Sequence, residues 1–397
     1  MPSSYRSTPL LAITAAIAIS TSATAAKPAP VWVGFDGEFG HSSSTSAEAI
    51  RRGATIAIEE INARGGVLGG RPLQLVTTDN RSVPARGVDN IKELAARKDL
   101  VAVLTGKFSP VVVETVPHAN RLGLPLLAAW SAADEIVDHD HSPSYVFRLS
   151  LRDTWAVEAM MKNAQQRGLR KVGLLVPNTA WGRSSLRAAQ AFEDTQRGAR
   201  LVAHEWYNWG DASLLPGYRR LQAAGAEVLL FVANDKEGVV LANELAALPR
   251  PERLPILSHW GITGGRFFEA AGKAVRQMDL RVVQTFSFIE NPRAQVAPVL
   301  AAYQRQFGVS DPRKIESPVG VAHAYDLVHL LARAIDKAGG TNRAAVRDAL
   351  EHLGPYQGLV RDYPEPFTRK RHEALGLEDV FLASYAADGA IVRLPAP

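Results

Sequence analysis

Apolar positions in this chain follow two alternating rhythms from Val31 onward. Continuous runs at 31–35, 73–77, 100–104 and 124–128 are short, as strands buried on both faces are. Between them the apolar residues fall three and four apart. Ile50, Ala54, Ala57, Ile58 and Ile61 share one helical face, and Val88, Ile91, Leu94 and Ala95 share another. A further helix is predicted over 110–121. The pattern resumes near Phe147, predicting strands at 171–176, 201–205, 227–232 and 255–258 with helices at 154–167, 184–197, 214–224 and 237–248 between them. Strands separated by amphipathic helices imply parallel sheets covered on both sides, and two successive runs imply two such layers. The C-terminal part is more helical. A strand is predicted at 282–288, helices at 296–307, 321–338 and 343–353, and a closing hairpin around Ala387-Asp388-Gly389. This tail is expected to complete both earlier units, with the chain crossing between them more than once.

The chain's 397 residues exceed the roughly 250–300 at which single cores stop growing. A 46% hydrophobic and 21% charged composition is globular. With no Cys in the sequence, disulfide scaffolds, thiolate metal sites, thiol nucleophiles and thiol-linked lipid anchors are excluded. The net charge of +5 is spread along the chain with acids close to the bases, as on a solvated surface, which argues against nucleic-acid binding. Residues 1–25 have another character. Arg6, an apolar run from Leu10 to Ile19 and the small-x-small triplet Ala23-Thr24-Ala25 form a secretory signal peptide. That run is about ten residues, short of the roughly 20 that span a membrane. A mature protein exported free into the periplasm is expected.

In open parallel sheets, ligands sit beyond the carboxyl ends of strands, beside helix N-termini. Two of these loops place a hydroxyl at a predicted helix start. Ser109 precedes Pro110 as an N-cap residue would, and Ser131 stands three before Asp134, the spacing of a capping arrangement. A hydroxyl beside free amides is also well placed to bind a small carboxylate. Trp130, Trp181 and Trp260, three of seven Trp, lie on such loops and would supply flat walls for an aliphatic or aromatic body. Lys107 reads as a solvated lysine. Asp138-His139-Asp140-His141 reads as a surface turn rather than a metal site, and no nucleophile with a plausible base is visible. No enzyme activity, metal or cofactor is expected.

Glu60-Ile61-Asn62-Ala63-Arg64-Gly65-Gly66-Val67-Leu68-Gly69-Gly70-Arg71 resembles the helix-to-strand segment of type I periplasmic binding proteins, the leucine/isoleucine/valine-binding group of ABC transporters. Agreement continues through Thr78-Asp79-Asn80, Leu104-Thr105-Gly106 with Ser109, Pro125 to Ser131, and Asn178 to Gly182. The resemblance implies an α/β fold of two Rossmann-like lobes with parallel central sheets, joined by a three-strand hinge. Lobe 1 would be residues 26–147 plus 284–355, and lobe 2 residues 148–283 plus 356–397. It implies ligand contacts at Ser109, Ala129 and Ser131 on the first lobe and at Trp181 on the second, beside the loop tryptophan Trp130. The group's second-lobe Glu, which pairs with a ligand ammonium, is Trp260 here; Asp235, in an aromatic's usual place, is a possible substitute. The positions of a small first-lobe disulfide fall on Ser82 and Phe108. The implied function is capture of a small amino acid or related carboxylate or amide by hinge closure, with delivery to a membrane permease by a monomer. A sensing module that reports to a sensor kinase or chemoreceptor is the alternative.

Overall fold

The computed structural model describes residues 1–4, 28–40, 44–195 and 198–395. Apart from residues 1–4, the predicted signal peptide lies outside them. Five parallel strands make the first sheet: β1 (Val31–Gly37), β2 (Leu73–Asp79), β3 (Leu100–Thr105), β4 (Leu126–Ala128) and β5 (Val146–Arg148), in the order β2-β1-β3-β4-β5. β3, entirely apolar up to Thr105, is buried along its whole length, as a strand covered on both faces must be. The connecting helices are α1 (Ser46–Ala63), α2 (Pro84–Ala96) and α3 (Ser109–Leu122). Each begins within two residues of a Pro or a buried loop hydroxyl rather than at a side-chain cap.

The second sheet has seven strands. β6 (Lys171–Pro177), β7 (Arg200–Tyr207), β8 (Val228–Phe231), β9 (Ile256–Ser258) and β10 (Leu280–Gln284) are parallel. Its helices are α4 (Asp153–Gln166), α5 (Ala180–Thr195), α6 (Leu215–Ala223), α7 (Asp235–Ala246) and the short α8 (Phe267–Ala271). The predicted strand at 282–288 instead ends at Gln284. Phe286 and Phe288 leave the sheet to pack edge-on against each other, their rings 4.8 Å apart.

After β10 the chain returns to the first layer. Helices α9 (Val296–Phe307), α10 (Pro318–Ala338) and α11 (Arg343–Leu350) pack there, α10 against α1 and α11 near β3. The α1–α10 crossing is tight because Gly53 has no side chain: a β-carbon on it would lie 2.1 Å from the Val321 carbonyl. A two-stranded ribbon, β11 (Tyr356–Gln357) and β12 (Asp362–Tyr363), leads back. The closing hairpin of β13 (Phe381–Tyr385) and β14 (Ile391–Arg393) then extends the second sheet antiparallel to β10.

Between β12 and β13 the chain touches the first sheet once more. The Arg148 amide donates to the His372 carbonyl at 2.8 Å, and the Ala374 amide to the Arg148 carbonyl at 2.8 Å. The buried Arg148 guanidinium binds Glu373 through both oxygens at 2.8 and 2.5 Å and the Ala133 carbonyl at 2.7 Å. A charge this deep needs such pairing. Arg152, four residues on, binds Asp134 at 2.9 Å and also Asp138. Among the described residues no helix is long and apolar enough to cross a membrane.

Candidate functional site

The carboxyl ends of both parallel sheets face each other across one cavity. From the first sheet come the loops after β3 and β4, carrying Lys107, Ser109, Trp130 and Ala132. From the second come Trp181 at the start of α5, Trp209 after β7, Asn234 after β8 and Trp260 after β9. The space left is about 10 Å³, roughly the room one water requires. Admitting anything larger requires the two sets of loops to part.

On the first wall, neither serine is a helix cap. Ser109 is the first residue of α3, which has no side-chain cap. Its buried hydroxyl accepts the amides of Ala132 and Ala133, both at 3.2 Å. Ser131 does not cap the 3-10 turn at Asp134–Ile136; its hydroxyl donates to the Gly106 carbonyl at 2.6 Å. The two serines therefore lace the β3 and β4 loops together, because β3 and β4 are neighbouring strands and their loops leave side by side. Ser109 borders the cavity, whereas Ser131 and Ala129 lie behind it. The Ala129 carbonyl accepts Nδ1–H of His323 on α10 at 2.9 Å, and His323 Nε2 lies 2.9 Å from the Thr285 hydroxyl. A carbonyl can only accept, so Nδ1 carries the proton. Burial pushes the His323 pKa down to about 4, keeping the ring neutral.

On the second wall, the Trp181 indole donates to Asp153 at 3.0 Å. His259 Nε2 stands 3.1 Å from the same oxygen, with both side chains wholly buried. Asp153 thus fixes the angle at which Trp181 faces the gap. Trp260 lies across the cleft against Trp130, ring centroids 5.3 Å apart, and also against His323 at 5.7 Å. The walls are apolar and flat, with few polar groups, as small-molecule sites generally are.

Lys107 overturns its sequence expectation. It is 6% exposed, and its ammonium reaches across to the other layer, donating to the Gly264 carbonyl at 2.8 Å and lying 3.4 Å from Asp235. Asp235 does not border the cavity; it sits behind Lys107. The fit relies on two glycines. A β-carbon on Gly265 would fall 2.2 Å from the Asp235 carboxyl carbon, and one on Gly264 would fall 2.8 Å from the Lys107 side chain. Around this pair Thr45 N donates to the Gly264 carbonyl at 3.0 Å and Ser317 Oγ to the Thr263 carbonyl at 2.9 Å. The 3-10 segment Trp260–Gly264 is consequently the part of the second layer seated most firmly on the first.

Trp209 is the wall residue that sequence reasoning missed. Its ring packs edge-on to Phe108 at 5.3 Å, so Phe108 serves as a wall support. The strand before Trp209 was expected to end at Glu205 but runs to Tyr207. With the observed end, Trp209 falls two residues after a strand, as Trp260 does, and on the same kind of post-strand segment as Trp181. His139 and His141 meet edge-on, ring centroids 5.1 Å apart, on the exposed loop expected for them. Among the described residues no group of three or more metal-ligating side chains is assembled.

The family model for periplasmic binding proteins matches residues 31–390. The chain belongs to the periplasmic binding protein family. That family is one of solute-binding proteins rather than enzymes, and it works in the periplasm. Leu/Ile/Val-binding protein homolog 7 of Brucella melitensis is 25% identical over 320 residues, 75% of each chain. A periplasmic binding protein type 1 from Bordetella pertussis Tohama I has the same fold with TM-score 0.82 at 22% identity, covering 92% of this chain and all of that one. The solute-binding protein of an ABC transporter from R. palustris, solved with 4-hydroxybenzoate, aligns with TM-score 0.76 at 16% identity over 92% of this chain and 96% of that one. This periplasmic binding protein is thus a two-lobed, non-enzymatic binder of small solutes.

Proposed function

We propose that this chain is the exported receptor of an ABC importer, holding its solute in the cavity between Ser109 and Trp130 on one lobe and Trp181, Trp209 and Trp260 on the other. The supporting observation is that side chains from the strand ends of two separate sheets enclose a single gap about one water wide. Such a gap admits a solute only by lobe opening and holds it by closure, which is the hinge mechanism. Lobe 1 would be residues 26–147 plus 284–355, with the remainder of the mature chain in lobe 2. Ser109, Trp130, Trp181 and Trp260 would touch the solute. Ala129 and Ser131 would shape the first wall from behind, and Asp235 would act through Lys107. The signal-like residues 1–25, with no Cys beside the cleavage triplet to carry a lipid, support export into the periplasm. A permease would read the outline of the closed lobes.

A thermal-shift screen of amino acids, amides and small carboxylic acids tests this. A true solute at one hundred times its Kd adds about 2.7 kcal/mol of stability, and Trp181→Ala should abolish that shift. Absence of a shift with every compound, and of any small molecule released on denaturing the protein purified from its host, would refute the proposal.

A further inference from the structure

We infer that the solute is a carboxylate without an α-amine, and that Lys107, the cation on the cavity wall, sets this preference. The inference rests on the solute-receptor reading above and names the class of its ligand. Among the described residues bordering the cavity none is acidic, and Lys107 is the single cation. Asp235, behind Lys107, is already occupied by it at 3.4 Å, with the two side chains 1% and 4% exposed. A solute ammonium would therefore find no carboxylate on the cavity wall and would stand beside an ion pair whose cationic member is the one bordering the cavity, a costly arrangement. Asp153 lies behind Trp181, holding the indole and His259 through one oxygen while the other is buried without a hydrogen-bond partner, and, like Glu38 and Glu237, it does not border the cavity. Glu38 accepts Ser44, Ser46 and the Lys107 amide, and Glu237 accepts the Gly210 amide.

A carboxylate meets the opposite situation. An ammonium has three donors, and Lys107 uses one well, on the Gly264 carbonyl, and one at long range, on Asp235. The third has no hydrogen-bond acceptor given to it by the described residues, its further neighbour being the Phe108 ring at 5.1 Å, and a solute carboxylate would supply one. The Ser109 hydroxyl, whose oxygen accepts the Ala132 and Ala133 amides, keeps its own O–H to donate to the second oxygen. Beyond them, Trp130, Trp181 and Trp260 offer flat apolar surface to the body. Trp209 Nε1, shut from solvent and without a hydrogen-bond partner, offers a donor to a polar distal end.

Calorimetric titration of the full mature chain, stripped of solute by denaturation and refolding, tests this with matched pairs. These are 4-methylpentanoate against leucine and 4-hydroxybenzoate against 4-hydroxyphenylglycine. At least one acid should bind, about tenfold or more tighter than its amino counterpart. Asp235→Asn, which leaves the lysine in place, should keep that preference. Lys107→Met, its fold checked by a thermal melt, should lose about tenfold or more for the acid. If Lys107→Met does not fold, the wild-type pairs and Asp235→Asn still decide. Amino acids binding as tightly as the acids, or choline binding while the acids do not, would overturn the inference and leave the receptor reading intact. Failure of all of these, together with an empty thermal-shift screen, would remove both.

Discussion

The Ser109 hydroxyl shows how a residue legible in sequence can act differently in space. Its place after β3 and before Pro110 marked it for a helix start, yet it receives two amides from the neighbouring loop. Removing it leaves both amides buried without an acceptor. Ser109→Ala should therefore lower unfolding stability by about 1–3 kcal/mol, measured by urea denaturation, as well as weaken solute binding. His323 makes a pH prediction. Its folded pKa of about 4 lies below the ordinary 6.5, so its contribution to stability is complete above pH 6.5 and is lost as pH falls through about 4. Asp36 and Asp326 act in the opposite sense. Burial raises each from 3.8 to about 6, so their contributions are complete below 3.8 and lost as pH rises through 6. In His323→Gln the drop in urea midpoint between pH 6.5 and 4 should shrink or reverse; an unchanged drop would assign it elsewhere. Lys107 was not legible in the same way. Its burial comes from Gly264 and Asp235, more than a hundred residues away, and no local pattern signals that.

At the scale of elements, periodicity carried most of the information. α1 and α3 lie where apolar residues recur at helical spacing, because each presents one face to a sheet, whereas α10 is buried almost throughout against α1 and α11. The helix packing was less legible, since Gly53 looks like an ordinary helix-interior glycine until α10 is seen against it. Gly53→Ala places a β-carbon within 2.1 Å of the Val321 carbonyl, a backbone atom that cannot rotate aside. Its helix propensity improves, but overpacking should cost about 1–3 kcal/mol net, read from the urea midpoint. The 3-10 segment Trp260–Gly264 has no period to read, and only its Trp drew attention. The strand ends are less certain in sequence than the helices, and two misplaced ends had consequences. One hid Trp209, and the other extended β10 through Phe286 and Phe288, whose apolar character serves a different contact.

At the scale of the whole molecule, the two layers are joined by chain crossings and by side chains that meet only when the cleft is shut. Thr45, Lys107 and Ser317 hold the Trp260–Gly264 segment through its carbonyls. Arg313 binds Asp388 at 2.7 and 2.9 Å, and Arg266 lies 3.1 Å from Glu316. The last two pairs are exposed and contribute little each, so closure depends chiefly on the buried seam and on what lies within it. The two-layer architecture was legible because strand and helix alternate twice. The meeting of the layers was not, since it depends on contacts between residues distant in the chain. The most direct test is a crystal structure of this protein with the solute that it retains on purification from its host. The solute should lie between the lobes, with its acidic group at Lys107 and Ser109 and its body against Trp130, Trp181 and Trp260. Electron density for it on an outer face, with the gap still closed by these same side chains, would contradict the account.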